Sequence, residues 1–272
     1  MKIKLSERPN KINDQIIIGV IPARFASTRL MGKPLADICG KPMIQHTYES
    51  AMQSKLLNEV IVAVDDEKVA QVVRSFGGKV IMTPKNIATG SDRIAFVTRS
   101  IPSAKIVVNI QGDEPFIKGE MIDQAIEPLL FDKTVNVSTL AKRIESVQDL
   151  KSPSIPKVVF DYNNFAMYFS RSPIPYVRDA KTNFERIQNA EIYKHIGLYV
   201  YRRESLLRFT ELEPTDLEQT EKLEQLRMLE NGFKIKVVVT EYENLAVDTQ
   251  EDLDRARLYY SRILKMKDDG DL

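Results

Sequence analysis

Continuous apolar runs alternate with helical patterns through the first half of the chain. Residues 16–21 form an unbroken apolar run that ends at Pro22, and such a run predicts a strand covered on both faces. Further strands are predicted over 59–64, 79–82 and 105–110. Helices are predicted over 42–55, over 67–76, and around the apolar stripe Met121, Ile122, Ala125, Ile126, Leu129 and Leu130. This alternation indicates an α/β fold with a mainly parallel central sheet flanked by helices.

The alternation of predicted strands and helices ends in the second half of the chain. Three strands with no long helix between them are predicted over 135–142, 157–160 and 165–169, which indicates a smaller antiparallel insertion or subdomain at about 135–200. A strand at 195–201, a helix over 217–231 closed by Gly232, a strand at 234–239 and a helix from Thr249 complete the pattern. We expect a polar N-terminal tail over 1–15 and a single domain over 16–272.

Composition narrows the function classes. The 272 residues are 43% hydrophobic and 28% charged, with a net charge of +1, so no broad field attracts nucleic acid or an anionic membrane. No apolar run approaches the roughly 18 residues of a membrane span. The single cysteine, Cys39, cannot form an internal disulfide, which fits a reducing compartment. We expect a cytoplasmic protein that binds neither nucleic acid nor membrane.

The segment after the first predicted strand is rich in cations and hydroxyls. Residues 22–35 contain Arg24, Ser27, Thr28, Arg29 and Lys33, at the carboxyl end of a buried strand where open α/β sheets bind ligands. Guanidinium and ammonium groups can neutralise a triphosphate, while hydroxyls and loop amides donate directed hydrogen bonds. A merely solvated basic loop is the alternative. The spacing matches neither a Walker loop nor a dinucleotide-binding glycine motif.

Two aspartates are candidate metal ligands. Asp113 follows the strand predicted at 105–110, and Gly112 before it permits close backbone approach. Asp248 precedes Thr249, which can cap the terminal helix reciprocally with Asp252, so the Asp248 carboxylate remains for another role. Mg²⁺ needs only one or two carboxylates when substrate phosphates complete its shell. An ordinary turn aspartate and a residue near a positive helix end are the alternatives.

Other polar residues have both a binding and a structural interpretation. Ser91, in the segment 89–93, can bind a base or simply cap a helix, and Gln111 can bind a base edge or the backbone. Arg171 can hold a carboxylate or lie on the surface, and His195 can be functional or a core imidazole. We interpret His46 as structural. Three tyrosines are interpreted as packing or interface residues: Tyr162, Tyr168 and Tyr176.

Seven segments, in order, resemble the 3-deoxy-D-manno-octulosonate (KDO) cytidylyltransferases, or CMP-KDO synthetases. The first is the basic loop at 21–35. The others are Thr89-Gly90-Ser91-Asp92-Arg93, Val108-Asn109-Ile110-Gln111-Gly112-Asp113-Glu114-Pro115, Tyr168-Phe169-Ser170-Arg171, His195-Ile196-Gly197-Leu198-Tyr199, Leu223-Glu224-Gln225-Leu226-Arg227 and Val247-Asp248-Thr249. The resemblance runs from about residue 16 to the terminal helix and leaves 1–15 without a counterpart.

The resemblance implies a Rossmann-like nucleotide-diphospho-sugar transferase fold and an enzyme that joins CTP to KDO for lipopolysaccharide biosynthesis. It implies Mg²⁺ held by Asp113 and Asp248, and a homodimer, which the antiparallel insertion also suggests. We interpret Glu114, beside Asp113, as an outer-shell partner of the metal. The catalytic set is Arg24, Arg29, Lys33, Asp113 and Asp248. The nucleotide-binding set is Pro22, Ala23, Arg24, Ser27, Thr28, Arg29, Lys33, Thr89, Ser91, Arg93 and Gln111. The sugar-binding set is Arg171, His195, Tyr199, Glu224 and Gln225.

Two rival functions remain at this stage. One is a sister cytidylyltransferase for another acidic sugar. For sialic acid, the loop and the His195 segment resemble the KDO type better, whereas 8-amino-KDO differs from KDO by one hydroxyl-to-amine change that needs no visible motif. The other is a regulatory protein that binds a nucleotide without catalysis, and the presence of both Asp113 and Asp248 speaks against it.

Overall fold

The computed structural model describes residues 15–26, 30–243 and 245–268. Most of the predicted tail, 1–14, therefore lies outside the described residues, as do Ser27, Thr28 and Arg29 of the basic loop. The chain divides into two compact units, Met1–Ile122 with Asn244–Leu272, and Asp123–Glu243. The arrangement expected from sequence, one domain with a subdomain at about 135–200, stays a prediction.

Strands and helices are numbered in chain order along the described residues. The strands are β1 (Ile16–Ala23), β2 (Asp37–Ile38), β3 (Lys41–Pro42), β4 (Glu59–Val64), β5 (Lys79–Met82), β6 (Ala104–Asn109), β7 (Val137–Arg143), β8 (Lys157–Phe160), β9 (Ala166–Ser170), β10 (Tyr193–Arg202) and β11 (Ile235–Val239). The helices are α1 (Met43–Ala51), α2 (Glu67–Ser75), α3 (Gly90–Arg99), α4 (Gly119–Phe131), α5 (Val147–Lys151), α6 (Asn183–Asn189), α7 (Arg203–Phe209), α8 (Asp216–Glu221), α9 (Gln225–Glu230) and α10 (Gln250–Asp268).

The first unit is built on four parallel strands in the spatial order β6, β1, β4 and β5. Most of β1 and all six positions of β4 are buried, as the apolar runs predict for every position of β4 except Glu59. Asp66 caps helix α2, because its side chain accepts a hydrogen bond from the Lys68 amide, and α10 has the predicted reciprocal cap between Thr249 and Asp252. Because the strands are parallel, the loops after β1, β4, β5 and β6 leave from one edge of the sheet.

The second unit is mainly antiparallel. Strand β7 pairs antiparallel with β10 and parallel with β11, while β8 pairs antiparallel with both β9 and β10. Three short helices in this unit, α5, α6 and α7, were not predicted, because five to seven residues carry too little periodicity to reveal them. The predicted α/β class, with a mainly parallel central sheet and antiparallel strands in the second half, is confirmed.

Three sequence expectations about helices are wrong. Pro42 is the extended residue just before α1 and not its first residue, and α1 ends at Ala51, well before residue 55. The helix predicted over 217–231 is two short helices, broken at Lys222, whose φ of 53° is left-handed.

In the described part of the chain, no helix is both long enough and apolar enough to span a membrane.

Candidate active site

The turn that carries Asp113 packs directly against the end of β1. A Cβ on Gly112 would lie 2.8 Å from the carbonyl oxygen of Pro22, so only glycine fits there, as the sequence predicts. The Asp113 carbonyl in turn accepts a hydrogen bond from the Val247 amide at 2.8 Å. This backbone bond joins the segment after β6 to the segment before α10, and it brings Asp113 and Asp248 to the same place.

Lys33 lies between the two aspartates. Its Nζ is 2.8 Å from Asp113 Oδ2 and 2.7 Å from Asp248 Oδ1. Gly32 adopts a left-handed φ of 66° and starts the 3-10 turn Lys33–Leu35, which fixes the backbone from which the lysine side chain extends. The lysine side chain is 13% exposed, against 30% and 35% for the two aspartates. The predicted convergence of both carboxylates with a loop cation is therefore present.

The two carboxylates suit a metal ion whose coordination shell is completed by a bound substrate. They do not suit a metal ion that is held by protein side chains alone. Within 15–26, 30–243 and 245–268, no three His, Cys, Asp or Glu side chains are grouped to hold an ion. Mg²⁺ binds one or two carboxylates and takes its remaining oxygens from water and substrate phosphates. The partly exposed oxygens of Asp113 and Asp248 meet that requirement.

Arg24 ties the basic loop to the segment before α3. Its Nη2 donates to the carbonyl oxygens of Ile87 at 2.9 Å and Ala88 at 2.5 Å. Pro22 and Ala23 are the last residues of β1, so their backbone lies at the same sheet edge. Three other residues of the loop that are predicted to bind the nucleotide lie outside the described residues: Ser27, Thr28 and Arg29.

The segment 89–93 forms the start of α3. Thr89 and Asp92 form a reciprocal capping box, so Thr89 is the cap, and the alternative that Ser91 caps this helix is wrong. Ser91 is 7% exposed. Gln111 donates from Nε2 to Asn109 Oδ1 at 3.2 Å. A nucleotide-binding role for Thr89, Ser91 and Gln111 stays a prediction.

Arg93 lies inside the protein and holds the loop indirectly. Its side chain is fully buried, where it pairs with Asp65 Oδ2 at 3.1 Å and donates to the Thr83 hydroxyl. The other oxygen of Asp65 accepts from the Phe25 amide at 3.1 Å. This burial argues against the predicted direct contact between Arg93 and a nucleotide. Sequence reasoning missed Asp65, although it directly follows β4 and so lies at the same end of the parallel sheet as Asp113.

Arg93→Met is expected to lower the free energy of unfolding by about 3 kcal/mol, because it leaves the Asp65 carboxylate without its buried counter-ion. Urea unfolding of both proteins measures the difference. Arg74→Met, which breaks the exposed Arg74–Glu67 pair, is the matched control and should change stability by less than about 1 kcal/mol. Equal effects of the two substitutions would contradict a structural role for Arg93.

In the second unit, Arg171 binds backbone carbonyls. Its Nε and Nη2 donate to the carbonyl oxygens of Glu221 and Lys222, at 2.6 and 3.1 Å, and its Nη1 donates to Pro153 at 2.7 Å. Arg171 therefore satisfies the end of α8 at the break that sequence reasoning missed. These contacts use all three guanidinium nitrogens, which argues against the predicted bidentate grip on a sugar carboxylate.

His195 and Tyr199 lie side by side on β10. Their ring centroids are 5.3 Å apart, and His195 Nε2 is 2.9 Å from the Thr139 hydroxyl. Burial lowers the pKa of His195 to about 3. Burial above all, with smaller contributions from Tyr201 and Glu224, raises the pKa of Tyr199. Both rings are therefore neutral near pH 7.

The unfolding free energy should depend on the protonation of His195. The folded pKa of about 3 lies below the ordinary 6.5, so between those values the unfolded state binds a proton that the folded state does not. The free energy of unfolding is thus highest, as far as His195 affects it, above about pH 6.5. It falls on acidification, by about 2 kcal/mol at about pH 5. His195→Gln should remove that part of the pH dependence in urea unfolding. An unchanged slope would contradict the assignment.

The remaining predicted residues occupy mixed environments. Gln225 is 6% exposed, and Glu224 immediately precedes α9. His46 is buried with its Nε2 2.9 Å from the Ile38 carbonyl, so its structural interpretation is confirmed. Tyr162 and Tyr176 are exposed, with the Arg186 guanidinium 5.2 Å from the Tyr176 ring, and their packing or interface role stays a prediction.

A family model for cytidylyltransferases matches residues 18–235. The chain belongs to this family. Among curated cytidylyltransferases, the 3-deoxy-manno-octulosonate cytidylyltransferase of Geotalea uraniireducens is 52% identical over 243 residues, which cover 88% of this chain and 96% of that protein. The corresponding protein of Geobacter metallireducens is 53% identical, over 88% of this chain and 95% of its own.

A solved cytidylyltransferase has the same fold. It is CMP:2-keto-3-deoxy-manno-octonic acid synthetase complexed with CTP, with a TM-score of 0.85, 41% identity, and coverage of 91% of this chain and 99% of the other. These relatives confirm the resemblance found in the sequence motifs, because this chain aligns with nearly the whole length of each of them. This cytidylyltransferase is therefore a nucleotidyltransferase enzyme.

Proposed function

We propose that this cytidylyltransferase transfers CMP from CTP to KDO, releasing pyrophosphate, as a step of lipopolysaccharide biosynthesis. The observation that carries the proposal is the meeting of Lys33, Asp113 and Asp248 at the carboxyl edge of the parallel sheet. Two carboxylates beside a loop cation suit a nucleoside triphosphate with its metal. The names of relatives about 50% identical over most of the chain support cytosine and KDO as the base and sugar.

The reaction needs positioning and charge stabilisation more than covalent chemistry. The anomeric oxygen of the sugar forms a bond to the α-phosphorus, the bond from that phosphorus to the β-phosphate oxygen breaks, and the hydroxyl proton is released. Lys33 and Arg24, with Arg29 by resemblance, neutralise the phosphate oxygens as charge moves to pyrophosphate. Asp113 and Asp248 would hold Mg²⁺, which when bound supplies further positive charge to the phosphates.

The second unit offers groups suited to a sugar. Neutral His195 and Tyr199 can hydrogen-bond hydroxyls, and Glu224 and Gln225 can accept from or donate to them. Arg171 could bind the sugar only through the second N–H groups of Nη1 and Nη2, because each nitrogen already donates one hydrogen bond to a backbone carbonyl.

The decisive experiment measures pyrophosphate release from CTP, KDO and Mg²⁺ by the purified protein. Parallel reactions replace KDO with 8-amino-KDO or sialic acid, replace CTP with UTP, ATP or GTP, or add a chelator. Turnover only with CTP, KDO and free Mg²⁺ supports the proposal. Preference for another acidic sugar identifies the sister activity, and tight CTP binding without turnover for any sugar identifies the regulatory alternative.

We also propose a cytoplasmic homodimer. Exposed apolar side chains of the second unit support a partner surface there: Tyr162, Met167, Tyr176 and Phe184. Light scattering during gel filtration should give twice the chain mass. A single chain mass at micromolar concentration would contradict the dimer.

A further inference from the structure

The Lys33 ammonium occupies one oxygen of each carboxylate that would hold a metal. Its Nζ bridges Asp113 Oδ2 and Asp248 Oδ1, at 2.8 and 2.7 Å. The lysine side chain is the most buried of the three, so salt screens this bridge less than it screens a fully exposed pair. A divalent cation and the ammonium would place three positive charges against two negative ones in this small space.

We propose that Lys33 and the divalent cation compete for Asp113 and Asp248, so that metal binding releases the ammonium toward the triphosphate. The inference rests on the proposed function for the identity of the nucleotide. It assigns Lys33 two successive partners: the carboxylates before the metal arrives and phosphate oxygens afterwards.

The anchored backbone at residues 32–36 allows this exchange through a change of the lysine side chain alone. Lys33 is the first residue of a 3-10 turn held by hydrogen bonds from the Leu35 amide to Gly32 and from the Ala36 amide to the Lys33 carbonyl. The Met43 amide also donates to Ala36. The backbone is therefore anchored, while the four-carbon lysine stem can change rotamer and carry its charge to a neighbouring anion.

If Lys33 competes with the metal, one substitution of Lys33 should raise the affinity for metal and lower the affinity for CTP. Lys33→Met removes the competing charge but keeps the length of the side chain, so metal affinity in the absence of nucleotide should rise. The same substitution removes a phosphate partner, so CTP affinity in the presence of metal should fall. A lysine that merely orients the aspartates would lower both affinities.

The chain supplies a matched control. Gly-Lys-Pro occurs at 32–34 and again at 40–42, and Lys41 pairs with Glu49 at 2.7 Å in an exposed position. Lys41→Met makes the same chemical change in the same tripeptide, away from the two aspartates.

Free Mn²⁺ measured by electron paramagnetic resonance gives metal affinity without any reaction. Lys33→Met should bind Mn²⁺ about tenfold more tightly than the wild type, within the usual range for coupling between two sites. Lys41→Met should match the wild type, and Asp113→Asn should bind more weakly. An unchanged or lower affinity of Lys33→Met for Mn²⁺ would overturn the proposal.

Calorimetric titration of the same variants with CTP, in the presence of Ca²⁺ to prevent turnover, measures the second effect. Lys33→Met should bind CTP about tenfold more weakly, and Lys41→Met should bind it normally. If Mn²⁺ affinity rises but no protein binds CTP, competition stands and the proposed nucleotide is wrong. If CTP binds normally to Lys33→Met, release toward the phosphates is wrong.

A measurement on the wild type guards against misfolding of the variant. Brief acetylation followed by mass spectrometry reports the accessibility of each lysine. Added Mg²⁺ should increase modification of Lys33 several-fold relative to Lys41, and Mg²⁺ with CTP should protect Lys33 again. Modification of Lys33 that does not respond to Mg²⁺ would contradict the exchange of partners.

Discussion

Replacing Asp113 with asparagine should reduce the rate of pyrophosphate release from CTP and KDO about 10²–10³-fold, the range for preorganised electrostatic groups. The amide oxygen is a far weaker ligand for Mg²⁺ than a carboxylate, while the side-chain volume hardly changes. The fold should persist, because the bond from the Val247 amide reaches the backbone carbonyl of Asp113. Steady-state rates across a Mg²⁺ titration, with circular dichroism as the fold check, measure both effects.

Asp254→Asn is the matched control for this loss. Asp254 lies on α10 in the same unit and is 61% exposed in a pair with Arg257. The control should retain wild-type turnover, because an exposed pair on that helix contributes little. Full activity in Asp113→Asn would show that its carboxylate does not hold the metal.

Replacing Lys33 with methionine should lower kcat about 10²–10³-fold at saturating CTP, because one cation that stabilises the departing pyrophosphate is lost. Unlike Asp113→Asn, this variant keeps both carboxylates, so its remaining activity should still require Mg²⁺. Initial rates at several CTP and Mg²⁺ concentrations separate the two variants. Lys41→Met, the control from the second Gly-Lys-Pro, should match the wild type.

A Lys33→Met enzyme within about threefold of the wild-type kcat would contradict a role for the ammonium in the transition state. Loss of Mg²⁺ dependence in that variant would also contradict the account, since the metal ligands are intact.

The parallel sheet could be predicted from sequence because its strands are buried on both faces. A run such as 59–64 has no solvent-facing position, so its boundaries appear directly in the sequence, and β4 matches them. The break at Lys222 could not be predicted in the same way. It depends on tertiary contacts, including Arg171 with the end of α8 and the buried pair between Arg227 and Glu218.

The convergence of Asp113 with Asp248 was predicted through resemblance, and its physical cause lies in the fold. Asp113 is placed by the order of parallel strands, and Asp248 by a backbone bond between segments far apart in sequence. No local pattern encodes that bond. Sequence also could not separate residues that face a ligand from residues that support them, as Arg93 shows, because burial is a property of the folded chain.

The most direct measurement is the anomalous scattering of Mn²⁺ in crystals grown with CTP. The account predicts a peak about 2.0–2.3 Å from carboxylate oxygens of both Asp113 and Asp248, with the triphosphate completing its coordination and Lys33 moved onto phosphate. A Mn²⁺ peak remote from these two aspartates, or Lys33 still bridging them beside bound metal and CTP, would contradict it.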